Sequence, residues 1–494
     1  MKDHIKIPKR MHFFESWFCL LLILFILKGC IWAIFITPPT LSTSADDIGH
    51  LSYIQYIYSQ KKLPVLFETM MEDHSLALFR QYGDTQTVGQ IHIQTESFDN
   101  DQLDNHIAQH PPLYYLVMVI PYALAKLITP KLSDIIIILR LVTLSTGVLS
   151  LLFVKRITSL LKLEDIVQKS ILIFFSLSTS ISFYFMTISN DGLLILLCLI
   201  SLYYLLKYEK ELTQKSFVLF CISSACVLMT KYTGGIVIAG YLIYFLIFSF
   251  NKNGVAKTFI LCLQGLIIGG CICVPFFIRN YFLYGNPVQT YDDNSRLFEF
   301  TFATFISNGY IWELSRHIIC LIGWGFLFIA PANILIVPAC ILATSVFFAL
   351  KDHGQIYGKL FLIIETAIIG TNCVLQIEHL YYALIIFNVL VLIGHNVFFE
   401  KNIYLRKISR FFAFLVFFTV LIFGLQHYII FCHRGHYGAT HGRYYYIILF
   451  PFSFLIFRTV SRIPQRLHNI ALAVEILLLM FFDFNMMHIC LGGW

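Results

Sequence analysis

Long apolar runs recur along nearly the whole chain, and they limit its possible folds more than any other feature. The first, from Trp17 to Ile36, has about the 20 residues that a membrane-spanning helix needs. Only 13% of the residues are charged, against about 25% in an average soluble domain. The other runs lie at about 134–154, 170–188, 191–207, 216–230, 233–250, 258–279, 327–350, 360–375, 383–399, 411–431, 445–458 and 469–488. The sequence therefore predicts an all-α, polytopic transmembrane helical bundle of about 13 spans.

The first apolar run is expected to remain as a membrane anchor. It is longer than a signal-peptide core, and no small-residue cleavage site follows it. Lys28 interrupts the run. Its ammonium group either extends to the membrane surface or faces a polar cavity inside the protein, and we expect the first arrangement.

Most of the 35 Lys and Arg residues fall between alternate apolar runs. These basic segments are 1–10, 155–169, 207–215, 252–257, 351–359, 401–410 and 458–466. The positive-inside rule assigns them, with the N-terminus, to the cytoplasm. The same rule places the C-terminus and the first polar loop, 38–111, on the outer side.

The apolar stretch 112–128 would break this alternation if it crossed the membrane. It is short, contains Pro121 and carries Lys126. We therefore predict an interfacial helix, or one that enters the membrane and returns on the same side. The whole chain, 1–494, is then one transmembrane domain, in which 38–130 is an extracytoplasmic loop of short juxtamembrane helices plus the interfacial helix.

The net charge of +7 does not indicate nucleic-acid binding, because the basic residues form no dense patch. The 13 cysteines show no metal-finger spacing, and most lie inside apolar runs. His433, His436 and His441 crowd the last outer loop, although their spacing matches no standard metal set. The sequence thus requires no cofactor, and a divalent metal stays an open alternative.

The segment 43–50 (TSADDIGH) begins a predicted helix just outside the membrane. At helical spacing Asp46, Asp47 and His50 lie near one another at its start. A carboxylate at the membrane surface is suited to remove a proton from an acceptor hydroxyl or amine. Ser44 and Asp47 also form a capping-box pattern, which alone would explain Asp47. Asp46 is not needed for that cap and is the better catalytic candidate.

Two further segments place polar side chains beside apolar runs. In 109–115 (QHPPLYY) the prolines fix the backbone, and His110 either contacts a lipid phosphate or belongs to a structural elbow. In 189–192 (SNDG) Asp191 either serves a substrate or caps the next helix, since an acid at this depth needs a partner or water.

Cations on the outer side oppose the positive-inside rule and need an explanation. Lys231 lies in a tight turn, Arg279 begins the segment 279–287 (RNYFLYGNP), and Arg443 lies in the last outer loop. Such residues either pair with phosphate oxygens or anchor lipid headgroups.

Taken in order, these motifs resemble those of the GT-C superfamily of membrane glycosyltransferases, especially the branch of protein O-mannosyltransferases and bacterial aminoarabinose transferases. The matching segments are 46–50 (DDIGH) with 62–64 (KLP), 109–115 (QHPPLYY), 189–192 (SNDG), 230–234 (TKYTG), 279–287 (RNYFLYGNP) and 442–445 (GRYY) with Pro451. The resemblance covers roughly residues 40–460. The large soluble C-terminal domain of some members has no counterpart here.

The resemblance implies a glycosyltransferase of the bacterial inner membrane that serves the cell envelope. It would move a sugar from a polyprenyl-phosphate donor to a glycan, lipid or protein acceptor on the extracytoplasmic face. Asp46 would act as general base, and Asp47 and His50 would orient it or hold the donor. Substrate-binding roles are implied for His110, Asp191, Lys231, Arg279, Tyr284, Arg443 and Tyr444. Lys231, Arg279 or Arg443 would lie near the donor phosphate.

Two other functions stay open. A transporter or flippase of a lipid-linked sugar would use acids within spans, here Glu365, Glu475 and Asp483. Transporters often have paired repeats, and none is evident in the sequence. A polysaccharide polymerase or ligase also spans the membrane many times, but usually carries its large outer loop late in the chain.

Overall fold

The computed structural model describes residues 9–36, 47–71, 75, 105–289, 301–307, 309–310, 346, 363, 368, 378–434 and 442–490. The regular elements in these residues are all helices. They are α1 (Lys9–Ile31) with a π-helical turn (Trp32–Ile36), α2 (Asp47–Gln60), a 3₁₀ turn (His106–Gln109), α3 (Leu113–Ile128), α4 (Leu132–Leu160), α5 (Asp165–Leu177), α6 (Thr179–Tyr184), α7 (Asn190–Glu211), α8 (Gln214–Leu228), α9 (Gly234–Tyr284), α10 (Phe302–Ser307), α11 (Glu378–Phe399), α12 (Ile403–Arg434), a 3₁₀ helix (Gly442–Ile448), α13 (Leu449–Phe457), two 3₁₀ turns (Arg458–Arg462 and Gln465–Leu467) and α14 (His468–Cys490).

The described residues contain six helices that are long and apolar enough to cross a membrane. Shorter apolar helices occupy Leu113–Ile128, Gln214–Leu228 and Leu384–Phe399. The chain is therefore an integral membrane protein built as an all-α bundle, as the apolar runs predict. The runs predicted at 327–350 and 360–375 lie almost wholly outside the described residues.

The helix α9 consists of two antiparallel halves that meet at Gly254. This residue has φ 75° and ψ 173°, a conformation that only glycine adopts readily. Ser249 and Thr258 face each other across the bend, with their hydroxyl oxygens 2.8 Å apart. Near the open ends of the halves, Asn280 donates a hydrogen bond to the Tyr232 hydroxyl at 3.3 Å. The two predicted runs 233–250 and 258–279 thus form a helical hairpin.

Ion pairs join the predicted cytoplasmic segments at one end of the bundle. Arg458 binds Glu400 at 2.8 Å and also pairs with Glu164, between α4 and α5. Lys407 of α12 binds Glu209 of α7 at 2.6 Å. We call this region the basic end. It unites connections that the charge pattern assigned to one side, and its position in the cytoplasm stays a prediction.

The opposite end contains the start of α2, the turn between α8 and α9 and the last turn of α9. Asp47 of α2 pairs with Arg140 of α4, and Lys231 pairs with Asp191 at the start of α7. Arg279 donates to the Pro64 carbonyl oxygen at 2.7 Å. We call this region the first-loop end, since residues 47–71 and 105–115 lie here.

The helix α3 begins at the first-loop end, where the Leu113 N–H donates to the Met229 carbonyl at 2.9 Å. The next helix, α4, begins near the same end, because Arg140 in its third turn pairs with Asp47. It finishes at the basic end, where the Leu160 carbonyl accepts a hydrogen bond from Lys210. Hence α3 does not carry the chain from one end to the other.

One face of α3 is buried and the other is open. Tyr114, Tyr115 and Met118 are buried, whereas the opposite face exposes apolar side chains. These exposed residues are Leu116, Val117, Ile120, Leu124, Leu127 and Ile128. Such an amphipathic division is what an interfacial helix needs, and the predicted position of α3 on the membrane surface remains a proposal.

The expectation that Lys28 reaches the membrane surface is wrong. Its ammonium nitrogen lies 3.0 Å from Oδ1 of Asp483 in α14, and it donates to the Leu177 carbonyl at 2.8 Å. The Thr179 hydroxyl donates to the same carboxylate oxygen at 3.0 Å. A counter-charge inside the bundle removes the need for Lys28 to reach water. The acid lies in the last helix, so no local pattern around Lys28 reveals it.

Candidate functional site

The first helix after the membrane anchor begins with an enclosed acid. The Asp47 side chain is fully buried, and its Oδ2 accepts a hydrogen bond from Arg140 Nη2 at 3.4 Å. Neither side chain has exposed surface. Helix capping alone does not account for this geometry, because it requires no buried cation. Asp46 lies just outside the described residues, and its role as general base stays a prediction.

Aromatic rings pack directly behind the acid pair. His50 is buried, and its Nδ1 lies 2.9 Å from the Tyr115 hydroxyl. Its ring is nearly parallel to that of His110, with centroids 6.1 Å apart. Tyr53 stacks on Tyr115 at 3.7 Å and donates to the His110 carbonyl at 3.3 Å. Burial raises the pKa of Tyr53, so its hydroxyl stays protonated as a donor. Residues of the predicted motifs 46–50 and 109–115 therefore pack together in one layer of aromatic rings.

The second enclosed acid, Asp191, joins two other predicted motifs. Its Oδ1 lies 2.6 Å from Lys231 Nζ, and the two side chains are only 3% and 5% exposed. The Ser189 hydroxyl accepts a hydrogen bond from the Asp191 N–H at 3.2 Å and donates to Oδ2 at 3.0 Å. Ser189 is therefore the N-cap of α7, and the alternative of Asp191 as that cap is wrong. Asp191 lies in the first turn, where its charge faces a lysine.

Residues of the last predicted motif cover this second pair. The Lys231 ammonium lies 5.2 Å from the Tyr444 ring centroid, and the Arg443 guanidinium lies 5.6 Å from the same centroid. Arg443 and His50 are both close enough to act electrostatically on Asp191. Each cation lies within the range of a cation–π contact. The tyrosine thus holds two cations beside one carboxylate.

The two acid pairs are neighbours in one site. Asp47 and Asp191 are both near enough to the Tyr114 hydroxyl to act on it electrostatically. We call this group the paired-acid cluster. Its members are Asp47, His50, Arg140, Asp191, Lys231, Arg443 and Tyr444. Burying a charge pair costs free energy in desolvation and is weak evidence of a stabilising role, so two such pairs side by side indicate a functional site.

Arg279 and Tyr284 contact the protein backbone near this cluster. Arg279 Nη2 donates to the carbonyl oxygens of Pro64 and Leu63, at 2.7 and 3.2 Å. The Tyr284 hydroxyl accepts a hydrogen bond from the Leu66 N–H at 2.9 Å. These contacts fix the chain that follows α2. The substrate-binding roles implied for both residues stay predictions, and their described contacts position the first loop.

Sequence analysis did not predict the roles of three residues at the first-loop end, which are Arg140, Asn105 and Gly49. Arg140 carried a usable signal, since it is a lone cation inside an apolar run on the predicted outer half. Asn105 gave none, although its amide donates to the Gly49 carbonyl at 3.2 Å and its Oδ1 accepts from the Ile107 N–H at 3.1 Å. A Cβ on Gly49 would lie 2.5 Å from Ile107 Cγ1, so only glycine lets these segments meet so closely.

No group of His, Cys, Asp and Glu side chains suited to a metal occurs within the described ranges. His436 and His441 lie outside these ranges, and the side chain of His433 is not described either. Chemically, the cluster offers carboxylates at fixed positions beside several cations. Such a set is able to orient an acceptor and to attract a phosphate.

Comparison with known proteins finds little similarity. No protein-family profile matches the chain, and no curated protein sequence matches it. Among solved structures, the chain is similar to ArnT from Cupriavidus metallidurans in the apo state, with a TM-score of 0.37 and 12% identity. The match covers 91% of this chain and 78% of that chain. A similarity of this size identifies neither a family nor an activity.

Proposed function

We propose that this protein is a membrane glycosyltransferase of the GT-C type. It takes a sugar from a polyprenyl-phosphate donor and transfers it on the extracytoplasmic face of the membrane. The paired-acid cluster carries the proposal. Motifs at 46–50, 109–115, 189–192, 230–234 and 442–445 are far apart in sequence. The contacts described above bring residues from each of them to one end of the bundle.

The proposed reaction is a direct transfer. The acceptor oxygen or nitrogen forms a bond to the anomeric carbon of the sugar, and the bond from that carbon to the phosphate oxygen breaks. Asp46 takes the proton of the acceptor, and the polyprenyl phosphate leaves with the bonding electrons. The cluster's cations stabilise the negative charge that develops on the leaving phosphate.

The cations of the cluster differ in their described contacts. Asp47 faces Arg140 and Asp191 faces Lys231, so each of these cations has a carboxylate partner. Arg443 lies on the Tyr444 ring, close to Asp191. We assign Arg443 to the donor phosphate, because its planar guanidinium binds phosphate oxygens in pairs. Lys231 contacts both Asp191 and Tyr444 and holds these two residues next to Arg443.

The test is a transfer assay in membrane vesicles supplied with radiolabelled undecaprenyl-phosphate mannose or undecaprenyl-phosphate aminoarabinose. Release of undecaprenyl phosphate and label in the acceptor fraction are both measured. Asp46→Asn should lower the transfer rate by about 10² to 10⁴-fold, the usual contribution of a general base. Asp165→Asn, at an exposed acid whose ion pair among the described residues is with Lys169, is the matched control and should transfer normally.

Three results would contradict the proposal. Full transfer by Asp46→Asn at normal expression would remove Asp46 as the base. Absence of transfer by the unaltered protein, together with movement of the intact donor across the vesicle membrane, would establish a transporter or flippase instead. A product that carries many added units would indicate a polymerase or ligase.

The transporter alternative is weakened by the contacts of one of its acids. Asp483 is bound by Lys28 and Thr179, so its charge already has a partner. Glu365 lies outside the described residues. Glu475 is half-buried near Ser170 and is the remaining acid on which that alternative rests.

A further inference from the structure

Two lysines lie near the C-terminal ends of α2 and α3, whereas the paired-acid cluster includes the N-terminal end of α2. Lys61 Nζ lies 4.6 Å from the ring centroid of Tyr58, and Lys126 Nζ lies 5.1 Å from the same centroid. Lys126 is also 5.9 Å from the ring centroid of Tyr122, which packs edge-on against Tyr58 at 5.2 Å. The Tyr58 ring therefore lies near two ammonium groups, one from the residue that follows α2 and one from α3.

Neither lysine forms an ion pair with a carboxylate in the part of the chain that the structure describes. The nearby acid Asp134 accepts a hydrogen bond from the Thr129 hydroxyl at 2.9 Å instead. Both lysines are exposed. Because the two ammonium nitrogens lie 4.6 and 5.1 Å from one ring centroid, they are at most about 9.7 Å apart, and two like charges at this separation attract an anion.

The backbone at Lys61 supports a role for its side chain. Lys61 follows the last residue of α2 with φ 54°, a left-handed conformation, and its N–H donates to the Ile57 carbonyl at 3.0 Å. Glycine or asparagine is the usual residue at such a helix end. A lysine is less favourable there, so the backbone conformation alone does not explain its presence.

Lys126 lies in the last turn of α3, between the buried face of this helix and its exposed apolar face. The two most exposed side chains of the apolar face, Leu127 and Ile128, lie in the same turn and are 85% and 76% exposed. In an integral membrane protein such side chains face lipid. The lysines therefore lie where a lipid headgroup meets the acyl chains, and a ligand that offers both an anionic phosphate and an acyl chain fits the site.

We propose that Lys61 and Lys126 bind the headgroup phosphate of an anionic phospholipid, with Tyr58 holding the two ammonium groups in place. The acyl chains of this lipid lie along the edge of the exposed apolar face of α3 that includes Leu127. This site fixes the α2–α3 pair against the membrane surface, which the paired-acid cluster needs if it is to face a lipid-linked donor. Lipid binding itself does not depend on the proposed transfer.

The competing explanation is the helix dipole. Both lysines lie at helix C-termini, where a cation is favourable without any ligand. That explanation predicts a loss of stability on substitution and no change in lipid binding. The two explanations are therefore separable when lipid binding and thermal unfolding are measured on the same variants.

The experiment uses the full-length protein in a neutral detergent and native mass spectrometry. The probes are dioctanoyl phosphatidylglycerol, dioctanoyl phosphatidylcholine and inorganic phosphate. The double variant Lys61→Gln/Lys126→Gln should bind phosphatidylglycerol at least about tenfold more weakly, since each lysine near an anionic lipid contributes roughly fivefold. The control Lys62→Gln/Lys131→Gln removes the same charge from exposed lysines nearby and should bind normally.

Three results would overturn the proposal. Unchanged binding by the Lys61→Gln/Lys126→Gln variant would leave only the helix-dipole role. An equal loss in the control variant would show a general charge effect in place of a site. Binding of inorganic phosphate or phosphatidylcholine as tight as that of phosphatidylglycerol would show that the site does not select an anionic lipid.

Discussion

The two ends of the bundle both contain ion pairs, but they bury them differently. At the first-loop end, Asp47 and Arg140 have no exposed side-chain surface, and Asp191 and Lys231 have almost none. At the basic end the Arg458–Glu400 pair is also enclosed, with 7% and 4% of the side chains exposed, but the other two pairs each include a solvent-accessible partner. Lys407 is 46% exposed opposite Glu209, and Glu164 is 49% exposed opposite Arg458.

Under the proposed function, the enclosed pairs of the first-loop end serve the site, and the partly exposed pairs of the basic end serve assembly. A partly exposed pair keeps much of its hydration and needs little else to form. A fully enclosed pair loses that hydration, and apolar residues of similar volume would often be as stable. Both pairs at the first-loop end are enclosed, whereas at the basic end only Arg458–Glu400 is, and its arginine also binds the exposed Glu164.

The largest expected effect comes from substituting one member of the Asp191–Lys231 ion pair. Asp191→Asn and Lys231→Met should each lower the free energy of unfolding by about 3–5 kcal/mol, because each leaves a buried charge without its partner. The double variant should recover most of that stability but none of the transfer activity. Thermal unfolding in detergent and the vesicle transfer assay measure the two quantities. Recovery of transfer in the double variant would show that the pair is purely structural.

The corresponding change at the basic end is Arg458→Met. It leaves Glu400, which is only 4% exposed, without its arginine. We expect a loss of about 3 kcal/mol in unfolding free energy, with unchanged transfer per folded molecule. Arg466→Gln removes an exposed arginine from the same region and is the control. A transfer defect in folded Arg458→Met would contradict the division between the two ends.

A smaller effect is expected from Gly49→Ala. The new methyl group would lie 2.5 Å from Ile107 Cγ1 and would push residues 105–107 away from α2. Overpacking of this kind costs about 1–3 kcal/mol, and it should lower transfer more than stability because His50 is the next residue. Gly394→Ala is the control, since no atom lies within 4 Å of that position. Equal transfer by the two variants would show that the close packing at Gly49 is not needed.

The smallest effect is expected from Lys407→Gln. Its partner Glu209 keeps a hydrogen bond from the Tyr244 hydroxyl at 2.8 Å, and the lysine itself is well solvated. Glu209 is only 6% exposed, but because it keeps this hydrogen bond we expect a smaller fall in unfolding free energy than for Arg458→Met. A loss as large as that of Lys231→Met, measured by the same thermal unfolding, would remove the distinction between enclosed and exposed pairs.

Some features of the site were predictable because they depend on neighbouring residues. The helix at Asp47 and the turn at Pro111 and Pro112 follow from local backbone rules, whereas the cap of α7 is Ser189 and not the predicted Asp191. The pairing of charges was not predictable in this way. The sequence marked Asp191 and Lys231 each as an unusual charge, but neither segment predicts that these two residues form an ion pair.

The sequence by itself determined that the chain is a helical membrane protein and which of its connections are basic. These properties follow from the length of apolar runs and from local charge, since the bilayer acts on each segment separately. Only the tertiary structure decided that Lys28 binds Asp483, that Asp47 faces Arg140, and that Arg279 positions residues 63–66. The reason is that a buried charge must find its partner in space, and helices distant in sequence supply it.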